Sequence, residues 1–76
     1  MQIIGIDPGL RKTGWGIVSV EGNIITHVSN GTLKSSESND LSQRLLEIFV
    51  QLVKVIEDFK PQVAAVENTF IQILCV

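Results

Sequence analysis

A single cysteine, Cys75, leaves no partner for an internal disulfide. Tyrosine is absent, and the aromatic content is Trp15 and three phenylalanines. Two prolines and six glycines are too few for a linker or low-complexity chain. No stretch reaches the roughly 20 consecutive apolar residues of a membrane-spanning helix. The N-terminus, Met1 to Asp7, lacks a basic region and its apolar run stops at an acid, which argues against a secretory signal. By default, a cytoplasmic location follows. Positive charge is also scarce: six Lys and Arg stand against eight Asp and Glu, for a net charge of −2. Domains that hold duplexes through phosphates are usually basic, so composition counts against tight nucleic-acid binding by these residues alone.

What remains is globular in character, with 45% hydrophobic and 18% charged residues in 76 positions. That length allows one small domain, which buries only about 60% of its unfolded surface.

Residues 2–7 are an apolar run ending in Asp7 and predict a first strand. Pro8 to Thr13 predict a turn, with Pro8 presetting φ and Gly9 permitting a positive one. Residues 14–20 predict a second strand, Glu21-Gly22-Asn23 a hairpin, and 24–33 a third strand with a bulge or bend at Gly31. These three elements form an antiparallel meander. After a polar loop over 34–40, Asp40 with Gln43 resembles a capping box. A helix over 41–59 follows, with Leu41, Leu45, Ile48, Leu52, Val55, Ile56 and Phe59 on one face. Gln43, Arg44, Glu47, Gln51, Lys54, Glu57 and Asp58 take the opposite face, where Val50 is the apolar exception. Pro61 ends the helix, and residues 62–67 predict a fourth strand. A strand–helix–strand unit makes a right-handed crossover, so this strand is expected to lie parallel to the first.

Ile3 to Ile6 and Val63 to Val66 are continuous apolar runs, the pattern of strands buried on both faces. One amphipathic helix covers one face. The expectation is therefore an incomplete domain lacking a layer beyond residue 70, ahead of self-association as the cover.

Asp7 ends the first strand and Glu67 the fourth. On parallel neighbours about 4.8 Å apart, two such carboxylates repel unless a proton or a cation intervenes. Hard oxygen ligands at an open sheet edge suit Mg²⁺ or Mn²⁺, and ligands of open α/β sheets favour the carboxyl ends of strands. From spacing alone, solvated strand ends explain the two acids equally well. Gly9, Gly14 and Gly16 surround Asp7 and either admit a phosphodiester backbone or serve turn and bulge geometry. Arg11 and Lys12 suit phosphate, though such a pair is more often a solvated turn. Phe70 is able to stack on or wedge between bases, but without further context a core position is the commoner fate. Trp15 is expected to pack in the sheet and His27 to be an ordinary strand residue.

These residues fit a known pattern. Ile4-Gly5-Ile6-Asp7-Pro8-Gly9 with Thr13-Gly14-Trp15-Gly16 resembles the first motif of RuvC crossover junction endonucleases. Asp40-Leu41-Ser42-Gln43-Arg44-Leu45 looks like the start of that family's first helix, and Val66-Glu67-Asn68-Thr69-Phe70 is similar to its second motif. The resemblance covers residues 1–70. The first motif is shared with other ribonuclease H-like proteins; Glu67 and Phe70 add the specificity. It implies a partial α/β, ribonuclease H-like domain over 1–70, with 71–76 as a divergent tail. It implies a homodimer that cuts four-way DNA junctions with Mg²⁺, Asp7 and Glu67 as catalytic metal ligands, and Phe70 against the junction. Branch-migration motor proteins are implied as partners by the family alone.

The family pattern breaks after Phe70, where a Lys- and Asn-containing segment, the dimer-interface helix and two further catalytic aspartates are expected. Two carboxylates do not complete a two-metal site, so these residues alone are expected to have little or no junction-cutting activity. Competing readings are a ribonuclease H-like nuclease for pre-ribosomal RNA, a nucleotide-binding domain of the actin and sugar-kinase type, and a non-catalytic interaction module. Glu67 with Phe70 argues against the first, and the fourth-strand acid with the short length against the second.

Overall fold

The computed structural model describes residues 1–8 and 12–66, and the backbone of 69–72. The order of elements is β1 (Gln2–Asp7), β2 (Lys12–Glu21), β3 (Ile24–Lys34), α1 (Leu41–Phe59), β4 (Val63–Val66) and β5 (Thr69–Gln72). They form one sheet in the order β3-β2-β1-β4-β5. β1, β2 and β3 are the expected antiparallel meander. β4 lies parallel to β1, with Ile3 opposite Val63 and Ile6 opposite Val66. β5, absent from the sequence reading, pairs antiparallel with β4 and takes up Phe70 and the first residues of the expected tail.

Beyond shifts of one residue at other strand ends, two features differ from expectation. β2 begins at Lys12, not at Gly14, because Lys12 and Thr13 pair with Lys34 and Leu33 of a long β3. The bulge is not at Gly31. Ile17 pairs with Ser29 and Val18 with His27, which leaves Val28 as the extra residue. Gly31 instead faces Trp15, and a Cβ there would lie 2.7 Å from the indole Cζ2. A glycine in a strand marks either a bulge or a close approach, and here it is the approach of an aromatic ring.

α1 starts and stops as its sequence dictates. The Asp40 carboxylate accepts from the Gln43 N–H at 2.8 Å, satisfying a first-turn donor. At the other end Lys60 adopts a left-handed conformation with φ 50°, and its N–H bonds the Ile56 carbonyl at 2.7 Å. The buried Pro61 follows, and the Gln62 N–H then reaches the Gln2 carbonyl, starting the run of β4 beside β1.

The core is thin. Ile4, Ile17 and Ala64 are buried together, with Ile6, Trp15, Leu52, Val55 and Phe59 packed on them. Trp15 meets Phe59 with ring centroids 5.9 Å apart. Only the C-terminal half of α1 therefore buries its apolar side as expected. Leu41, Leu45, Leu46, Phe49 and Val50 are exposed. Nor are the polar residues all solvated. Glu47 accepts from the Ser36 N–H and the Asn39 side-chain amide, both at 2.8 Å. Arg44 Nε donates to the Ser35 hydroxyl, and Gln51 bonds both the N–H and the carbonyl of Lys34. The chain leaving β3 has backbone groups that need partners, and α1 turns its polar edge toward them. The accessible surface is 5695 Å², against about 4,600 Å² for a compact monomer of this mass.

Candidate metal and phosphate site

Strand alternation sorts the sheet into two faces. Ile4 and Ile6 of β1 point to the α1 side with Ile17, Trp15 and Ala64. Ile3, Gly5 and Asp7 therefore belong to the other face. Across β1, β2 and β3 the register places Asp7 beside Gly14 and Gly14 beside Thr32. The next row is Gly5, Gly16 and Asn30, continued on β4 by Ala65.

Asp7 is exposed at the end of β1. It opens onto a depression of about 220 Å³ lined by Asp7, Pro8, Lys12, Gly14 and Thr32. The floor is low because the residues beside Asp7 have no side chains. A Cβ on Gly14 would meet nothing within 4 Å, and one on Gly16 would only touch the Ser29 carbonyl at 3.9 Å. Both glycines sit in regular strand, and among the described residues Gly22 is the glycine with positive φ. Turn or bulge geometry therefore does not account for Gly14 and Gly16. Their effect is to leave open space beside a carboxylate.

The bulge at Val28 decides what else reaches this face. From the hairpin tip Glu21 pairs with Ile24 and Val18 with His27, but beyond the bulge Gly14 pairs with Thr32 and Lys12 with Lys34. Were Val28 paired with Ile17 in unbroken register, Gly14 would meet Gly31, and every later residue of β3 would change face. The bulge thus sends Thr32 and Lys34 to the Asp7 side and keeps Gly31 and Leu33 on the core side. Thr32 is not among the residues singled out from the sequence, and hairpin spacing counted from the turn would give the wrong register for it.

Of the residues singled out from sequence, Asp7, Lys12 and Gly14 line one depression, and Gly16 lies one row away on the same face. Gly9, Arg11 and Glu67 lie outside the described residues. The backbone of Phe70 pairs with Ala65, and its side chain is likewise outside them. Trp15 packs in the core as expected, and His27 is an exposed residue of β3.

Among the described residues no group of three His, Cys, Asp or Glu side chains comes together. What they offer is one exposed carboxylate with a hydroxyl-bearing residue, and neither sulfur nor imidazole lines the depression. Such a donor set fits a hard cation that takes oxygen ligands and keeps several waters. No helix among the described residues is long and apolar enough to cross a membrane.

Comparison with known proteins bears on most of the chain. The family model for crossover junction endodeoxyribonuclease RuvC matches residues 3–74, past residue 70 where the sequence resemblance was expected to end. The crossover junction endodeoxyribonuclease RuvC of Afipia carboxidovorans is 54% identical over 71 residues, covering 93% of this chain and 42% of that protein. The protein of the same description from Ruegeria pomeroyi is 49% identical over the same coverage. The chain thus spans about two-fifths of the length of these curated relatives. Among solved structures, Thermus thermophilus RuvC superposes with a TM-score of 0.76 at 30% identity, over 87% of this chain and 44% of that one. T. thermophilus RuvC in complex with Holliday junction substrate gives 0.77 at the same identity, over 87% of this chain and 41% of that one.

Proposed function

Since this chain belongs to the crossover junction endodeoxyribonuclease RuvC family, we propose that its open sheet face is part of a metal-dependent site for endonucleolytic cleavage of four-way DNA junctions in recombination and repair. The parallel register carries this reading: Ile6 faces Val66, and the next residues in sequence are Asp7 and Glu67. These two acids would hold Mg²⁺ or Mn²⁺. Such an ion supplies activation of water and stabilisation of the departing oxygen. Asp7 contributes a solvent-accessible carboxylate, and Gly14 and Gly16 let a phosphodiester come close to it. Arg11 and Lys12 contact backbone phosphate, and Phe70 meets a base near the cleavage point.

The reading brings with it a homodimer matched to a symmetric junction, branch-migration motor proteins as partners, and a cytoplasmic location. These 76 residues alone supply too few carboxylates for efficient two-metal chemistry, so little junction cleavage is expected from them. Metal-dependent junction cutting by this chain that Asp7→Asn abolishes would refute that expectation.

The test of the site is Mn²⁺ titration followed by NMR line broadening. Broadening should centre on Asp7, Gly14 and Thr32 and be lost in both Asp7→Asn and Glu67→Gln. Broadening that persists in Asp7→Asn, or that centres elsewhere, would overturn the assignment.

A further inference from the structure

We infer that Lys34, opposite Lys12 on the β2–β3 ladder and fixed by Gln51, completes a two-ammonium clamp for the phosphates of the DNA strand entering the Asp7 depression. The inference deepens the reading above and rests on it for the identity of the ligand.

Three observations carry it. First, Lys12 and Lys34 are directly paired across the ladder, in the row next to Gly14 and Thr32. Alternation puts both on the Asp7 face. Like charges directly opposite each other destabilise a strand pair, and both side chains are exposed. Neither ammonium is engaged by an ion pair or side-chain hydrogen bond with a described residue. A shared anion removes that repulsion.

Second, Lys34 is held. β3 is an edge strand of the sheet, so the outward backbone groups of Lys34 have no neighbouring strand. Gln51 takes that place. Its side-chain oxygen accepts from the Lys34 N–H at 3.1 Å, and its amide donates to the Lys34 carbonyl at 2.6 Å and to the Glu47 carbonyl at 2.9 Å. The amide behaves as one residue of an additional strand, fixing the backbone from which the ammonium projects.

Third, the charge of the Asp7 face differs from that of the chain. Beyond Asp7 and Glu67, the acids fall at the hairpin tip (Glu21), in the loop before α1 (Glu37, Asp40) and on α1 itself (Glu47, Glu57, Asp58). Lys12 and Lys34 lie at the opposite end of the β2–β3 ladder from Glu21. Among the described strand residues the Asp7 face carries two lysines against one acid, Asp7 itself, so the net charge of −2 does not describe the face that would meet DNA.

The experiment is fluorescence anisotropy of labelled four-way junction DNA with the full chain in EDTA, across a salt series. Lys34→Gln and Lys12→Gln should each weaken binding by about tenfold near 0.1 M salt and lower the salt slope by about 0.9, the value of one phosphate contact. Lys54→Gln, on α1, should match wild type in both. Gln51→Ala should weaken binding in the wild-type background and have no effect beside Lys34→Gln, which separates positioning of Lys34 from general loosening of the fold. An unchanged slope in Lys34→Gln overturns the clamp, as does equal loss in Lys54→Gln or the absence of salt-dependent binding by wild type. Because no metal is present, these outcomes are independent of whether Mn²⁺ reports on Asp7. Asp7→Asn should leave the clamp intact and tighten metal-free binding by removing a repelling carboxylate.

Discussion

The two faces of one sheet divide the molecule's tasks. On the α1 side, Ile4 and Ile17 are large and buried, with Ile6, Trp15, Leu52, Val55 and Phe59 packed on them. On the other, Gly5, Gly14, Gly16 and Ala65 leave a bare floor bordered by Asp7, Thr32, Lys12 and Lys34. The same strands supply both, because successive residues alternate sides. Bulk on one face specifies the fold, and its lack on the other leaves room for a ligand. Substitutions should therefore separate into those that unfold the chain and those that spare the fold but alter binding.

The harshest way to break this division is to insert one alanine between Asn30 and Gly31. The ladder beyond the insertion would shift by one, pairing Lys12 with Leu33 and turning Leu33 outward and Lys34 inward. A chain with so small a core has no reserve for a buried ammonium. The insertion should abolish cooperative unfolding by circular dichroism, while Asn30→Ala, which keeps the residue count, should not. Next in size is Ile17→Ala. Emptying a fully buried position costs about 2–5 kcal/mol, so urea denaturation should show most of the stability gone. Ile3→Ala, on the open face and only half-buried, should cost about 1 kcal/mol or less.

How much of this division is legible in the sequence depends on what sets it. The meander, the helix bounds and the parallel β4 follow from local signals: Asp40 as cap, Pro61 as stop, Gly22 in the hairpin. Asp7 is visible because it interrupts an apolar run. The composition of the open face is not visible, because it depends on a one-residue offset at Val28 that has no composition mark of its own. Gly31 shows the opposite hazard. It looks like the bulge and is in fact the seat of Trp15. The burial of α1 is likewise a tertiary outcome, since Leu45 and Leu52 are equally apolar, yet Leu52 packs on the core and Leu45 is exposed. The polar edge of Glu47 and Gln51 reads as solvated until the unpaired backbone of Lys34 and Ser36 is seen beside it.

Two glycines sharpen the comparison most cleanly, because the same added methyl has opposite expected consequences. Gly31→Ala places a Cβ 2.7 Å from the Trp15 ring, which is itself packed against Phe59. The ring must shift, at a cost of about 1–3 kcal/mol for overpacking, and Trp15 fluorescence should change with it. Mn²⁺ broadening at Asp7 should survive wherever the chain remains folded. Gly14→Ala adds the same group where nothing lies within 4 Å. Removing a flexible glycine from a regular strand should leave stability unchanged or raise it by about 0.5 kcal/mol. The methyl instead stands on the floor between Asp7 and Thr32, where the phosphodiester is proposed to approach. Junction affinity and Mn²⁺ broadening should fall while the urea midpoint does not. If Gly14→Ala loses stability and keeps binding, the open face belongs to packing within the fold and the separation of tasks between the two faces is wrong.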